Sequence, residues 1–106
     1  NDSPAKVDTN LDISDLVQSF VINLSQDKHD LLRASNRHDN ENLARTAHKI
    51  SGAAKMFGFA ELSQSATELE RVIKKQKIDA IDDLTHCLVD EITWVQHKNH
   101  SSDRVS

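Results

Sequence analysis

The hydrophobic positions of this 106-residue chain fall into four runs, each with a helical period. The first extends from Leu11 to about Arg37. Within it Ile13, Val17, Phe20, Leu24 and Leu31 form one stripe, with Leu16, Val21 and Leu32 beside it. The polar stretch Gln26–Asp30 interrupts that stripe. The spacing predicts one helix across the break rather than two, with Asp12 or Ser14 capping its start. After a polar break at Asn36–Asn40, the second run places Leu43, Ala47, Ile50, Ala54 and Phe57 at alternating steps of four and three, a core-facing seam. Asp39 is its expected N-cap and Glu41 suits its first turn. Gly58 lies just past the last seam residue, where a left-handed glycine ends a helix. A third run starts near Phe59 or Ala60 and carries Leu62, Ala66, Leu69 and Ile73, with Lys74, Lys75 and Lys77 at its cation-favouring C-terminal end. The fourth is opened by Asp79 with Asp82 or Asp83. It carries Ile81, Leu84, Leu88, Ile92 and Val95, with Trp94 beside the stripe. Four amphipathic helices on short connections predict an all-α, antiparallel, up-down-up-down four-helix bundle over residues 11–98. Residues 1–10, polar and containing Pro4, read as a linker; residues 99–106 read as a disordered C-terminal tail.

Composition narrows the field. Two glycines, one proline and no tyrosine argue against a sandwich or barrel, and the length fits one domain. A net charge of −4 opposes nucleic acid as the main partner. Cys87 is the only cysteine, so no internal disulfide forms. It is expected to be a partly buried small apolar residue in a protein of a reducing compartment. No apolar run is long enough to span a membrane, and the start lacks both a signal peptide and a Met. These features predict a cytoplasmic fragment of a longer chain, without direct membrane insertion.

The chemistry concentrates in Asn42–Ala60. This stretch holds both glycines and no Asp or Glu, although the chain has 17 acidic residues. Arg45, Lys49 and Lys55 surround one histidine, His48. His48 follows the seam residue Ala47 by one position, or about 100° of helix, so it sits on the flank of the seam and faces outward. Ala44, Ser51, Gly52 and Lys55 share its strip, so its neighbours are mostly small. Gly52, one turn beyond His48, costs about 0.5–1 kcal/mol of helix stability relative to alanine. It either clears a flat approach to the imidazole or permits close helix–helix packing. The three cations favour a phosphoryl group's negative charge on this surface, or an acidic partner; a solvated helix face has the same composition.

The run Ala47-His48-Lys49-Ile50-Ser51-Gly52, followed by Gly58, Leu62 and Leu69-Glu70, resembles the signature of histidine-containing phosphotransfer (HPt) domains. In that family Ala-His is followed by an aliphatic residue two positions on, a Gly four on, a second Gly near ten on and Leu-Glu about twenty on. All these offsets are met. The family often has Lys three positions after the histidine, where this chain has Ser51. The resemblance implies that His48 is the phosphoacceptor, and Lys49, Ser51, Gly52, Lys55 and Arg45 are the expected phosphoryl- and partner-supporting residues. A neutral imidazole is a competent nucleophile toward phosphorus near pH 7. The resemblance further implies receiver domains of response regulators as partners, Mg²⁺ supplied by the receiver rather than by this chain, and no kinase activity of its own. The implied parent is a hybrid sensor histidine kinase, anchored in the inner membrane, with this domain at its C-terminus.

Other readings fit less well. In the dimerisation domains of sensor kinases an acidic residue follows the histidine and Pro comes soon after; here Lys49 follows, and Pro4 is the only proline. Six histidines raise the question of a metal, yet only His97 and His100 lie one helical turn apart, so no metal site is expected. The runner-up is a non-catalytic helical interaction module with His48 unmodified. The isolated domain is expected to be a monomer.

Overall fold

The structure, a computed structural model, describes residues 2–105, with side chains from Asp15 to Lys98. Four helices follow one another: α1 (Asp2–Asn36), α2 (Asn40–Met56), α3 (Ala60–Lys74) and α4 (Ile78–Val105). No strand occurs among the described residues. The linker expected at 1–10 and the tail expected at 99–106 lie outside the residues whose side chains are described, as does Ile13.

Each helix packs on two others, in the ring order α1–α2–α3–α4, and among the described residues no diagonal pair of helices brings Cα atoms within 8 Å. Cross-helix pairs set the directions. Lys49 meets Asp27 while Phe57 meets Phe20, so α2 runs against α1. Gln96 bonds the Val21 carbonyl and Ser25 Oγ while Thr93 accepts from Lys28, so α4 also runs against α1. His48 faces Glu70 while Ser51 faces Thr67, so α3 runs against α2. The predicted antiparallel bundle is the fold.

The seams are those read from the periodicity, with two polar substitutions. Leu43, Ala47, Ile50 and Ala54 of α2 are buried, as are Leu62, Ala66, Leu69 and Ile73 of α3. Helix α1 is continuous through Gln26–Asp30. Its seam runs Phe20, Leu24, Asp27, Leu31, Ala34, and all five are buried. The apparent break is thus a seam with a carboxylate at one level. In α4 the buried line runs Ile81, Thr85, Leu88, Ile92, Val95, while Leu84 is only half-buried. Thr85 tolerates complete burial because its hydroxyl donates to the Ile81 carbonyl at 2.7 Å. Cys87 is exposed rather than partly buried, because the line through Thr85 and Leu88 turns position 87 outward. Phe20 stacks against both Phe57 and Phe59, with centroids 5.4 Å apart, and closes the core where α2 ends.

The three turns share one geometry. In each, a residue with positive φ follows the helix: His38 (55°), Gly58 (85°) and Gln76 (57°). The next amide then reaches back to the third-last helical carbonyl: Asp39 to Ala34 at 2.8 Å, Phe59 to Ala54 at 2.8 Å, Lys77 to Val72 at 3.0 Å. That is the paired-bond Schellman stop. Its last residue is also the entry to the next helix, which keeps each connection to three residues and forces neighbours antiparallel. Asp39 fills this double role best: its carboxylate accepts from the Asn42 amide at 3.2 Å.

Candidate functional site

The seam of α2 turns His48 outward on the side facing α3, and its side chain is 77 % exposed. Its Nδ1 lies 3.1 and 3.2 Å from the two carboxylate oxygens of Glu70. An ionised carboxylate only accepts, so Nδ1 carries the proton and donates, and in the neutral form of the ring the lone pair is on Nε2. Glu70 is held in turn. It follows the buried Leu69, its side chain is only 16 % exposed, and Lys74 Nζ stands 3.5 Å from it. A fixed tautomer on a rigid helix, with one nucleophilic nitrogen exposed, is therefore built from α2 and α3 together.

Ser51 and Gly52 complete the surroundings. Ser51 Oγ is 2.7 Å from Thr67 Oγ1, and Ser63 Oγ donates to the Ser51 carbonyl at 3.0 Å. These hydroxyls tie α2 to α3 one turn from His48 and fix its distance from Glu70. A Cβ at Gly52 would meet nothing within 4 Å. No helix packs on this glycine, so close helix–helix packing does not account for it, and the surface at Gly52 is open.

The basic residues are spread over three places. Lys49 is on the opposite flank of α2, with Nζ 2.9 Å from Asp27 Oδ1 across the α1 interface. The approach is an ion-pair contact outside hydrogen-bond angles, so the buried oxygen has a charge partner but no aligned donor. Arg45 bonds Asn42 Oδ1 at 2.9 Å and lies 3.7 Å from Glu41. Lys55 is exposed. The cation coupled to His48 is Lys74, through Glu70, and reading the sequence missed it. Its signal was the Glu70–Lys74 spacing of one turn at the end of the Leu69-Glu70 pair. Asp27 was missed as well, although it sits three positions after Leu24 and four before Leu31. Beside this cluster Arg71 hydrogen-bonds and pairs with Glu68, which holds the Glu68 carboxyl below its usual range and raises the guanidinium; both side chains are in water.

Among the described residues no three His, Cys, Asp or Glu side chains are grouped to hold a metal ion, and no helix is long and apolar enough to cross a membrane. No curated protein and no solved structure matches the chain significantly. A family model described as "Hpt domain" matches residues 15–98, which takes in α2 and α3 whole and most of α1 and α4. The chain therefore belongs to the Hpt domain family, the phosphotransfer domains of two-component signalling.

Proposed function

We propose that this domain is a phosphorelay intermediate in which His48 Nε2 accepts a phosphoryl group from a receiver-domain aspartate and passes it to a second receiver. The observation that carries this reading is the Nδ1–Glu70 contact beneath an exposed imidazole. In the forward step the Nε2 lone pair forms a bond to phosphorus as the P–O bond of the aspartyl phosphate breaks, and the carboxylate leaves. The ring gains positive charge as its lone pair is used, and that charge develops 3.1 Å from Glu70. Little further covalent chemistry is required of the protein, because phosphoryl transfer depends mostly on alignment and charge neutralisation. The α2–α3 framework supplies alignment. Gly52 leaves room for the incoming backbone. Lys55 adds positive potential on the same exposed strip of α2.

The carboxylate at His48 is already engaged by Nδ1–H and Lys74. Mg²⁺ for the reaction would be held by the receiver, where it would neutralise charge on the phosphoryl group. The reading places the domain within a hybrid sensor histidine kinase on the cytoplasmic side, with no kinase activity of its own. Label transfer tests it: a receiver carrying ³²P-aspartyl phosphate is mixed with the domain and Mg²⁺. The wild type should acquire acid-labile, base-stable label, and His48→Gln should acquire none. An unlabelled wild type, or a labelled His48→Gln, would leave a non-catalytic interaction module as the better description.

A further inference from the structure

A second charged feature lies on the other flank of α2. Between α1 and α2 runs a cleft of about 360 Å³ lined by Asp30, Arg33, Arg37, Asp39, Arg45 and Lys49. It starts beside Lys49, the neighbour of His48, and runs toward the α1–α2 turn. In a chain of net charge −4 this concentrates four cations. The cleft also holds two carboxylates, each directed to neutral amides rather than to an arginine: Asp30 accepts from Gln26 at 3.0 Å, and Asp39 accepts from the Asn42 backbone and side-chain amides. Lys49 is paired to Asp27, and Arg45 to Asn42 and Glu41. Arg33 and Arg37 differ. Both are exposed, and among the described residues neither makes an ion pair or a side-chain hydrogen bond.

Two guanidinium forks, Arg33 in the last turn of α1 and Arg37 just past its end, are thus presented without a paired carboxylate. Arginine forks match carboxylates in a bidentate way, so two unpaired forks at neighbouring positions suit a pair of acidic side chains. We propose that this cleft is a specificity anchor that captures an acidic segment of the incoming receiver, through carboxylates paired to Arg33 and Arg37. The inference rests on the phosphorelay reading for the identity of the partner. A receiver seated over His48 and the open face at Gly52 reaches the cleft by extending along α2 toward its N-terminus. The anchor is separated from the reacting nitrogen by the width of α2, so it governs affinity and choice of receiver, while Glu70 and His48 govern the transfer itself.

The test separates the two. Binding of a panel of purified receiver domains is measured by calorimetry with the His48→Gln protein, alone and combined with Arg33→Glu/Arg37→Glu, and transfer kinetics are measured with His48 intact. Charge reversal should weaken binding of the tightest receiver about tenfold or more near 0.05 M salt, and the loss should shrink toward threefold or less near 0.5 M. KM should rise in parallel with the maximal rate unchanged. The milder Arg33→Gln/Arg37→Gln pair should show the same trend, and unchanged thermal melting would exclude misfolding. Lysine placed at an acidic pair of the receiver should restore binding to the reversed variant. An affinity change under about twofold, or a fall in maximal rate at constant KM, would overturn the anchor. So would displacement of the receiver by inorganic phosphate but not by chloride of equal ionic strength, which would make the cleft a phosphate site. Label on His48 with binding indifferent to Arg33 and Arg37 sinks the anchor alone. Arginine-dependent binding without label sinks the phosphorelay reading alone, and absence of binding across the panel sinks both.

Discussion

At the scale of single residues, Gly52 separates stability from function. Its Cβ position is open space within a helix, so Gly52→Ala should raise stability by about 0.5–1 kcal/mol, as in any exposed helix interior. The same methyl group would stand in the approach to His48, so phosphoryl transfer should slow. A more stable protein with undiminished transfer would remove the argument that the glycine is kept for access. Much at this scale was legible beforehand. The phase of Leu43, Ala47 and Ile50 fixed the outward direction of His48, and Gly52 flagged the strip. The partner of Nδ1 was not legible as such. Glu70 stood in the motif, but periodicity within one helix carries no information about which residue of another helix lies opposite. Lys49 shows the converse error: being next to His48 in sequence puts it about 100° away around the helix, at the α1 interface.

At the scale of elements, the helices were readable because each buries one stripe, and the turns were only partly so. Gly58 announced its left-handed conformation; His38 and Gln76 occupy the same position without that signal. A non-glycine residue there carries strain that the two Schellman bonds offset. His38→Gly and Gln76→Gly should each raise stability by about 0.5–1 kcal/mol, measured by urea or thermal unfolding. Gly58→Ala should lower it by a similar amount or more. A destabilising effect of both glycine replacements would show that these turns are held by side-chain contacts rather than by the backbone stop.

At the scale of the whole molecule, the bundle places one carboxylate in a hydrophobic seam. Asp27 is 4 % exposed and answers to Lys49 across α1 and α2. A buried carboxylate is costly without its counter-charge, whereas an apolar side chain of similar size suits a seam. Lys49→Ala should therefore destabilise the fold by about 1–3 kcal/mol, less than a fully buried pair because the lysine is 64 % exposed to water. Asp27→Leu should be neutral or stabilising. Equal losses in both variants would mean that the pair adds net stability to the bundle. This level of the seam looked like a break in the sequence because hydrophobic periodicity treats any charged residue as surface. Thr85 was passed over for the same reason, although its back-bonded hydroxyl fits the core.

The central claim is that α2 and α3 together select one nitrogen of one histidine. It is tested most directly by long-range ¹H–¹⁵N and ³¹P NMR of the domain after labelling by a phosphorylated receiver. Phosphorus is expected on Nε2 of His48, with Nδ1 retaining its proton toward Glu70 and the regiochemistry or rate degraded in Glu70→Ala. Phosphorus on Nδ1 of His48, or on any other histidine, would contradict it.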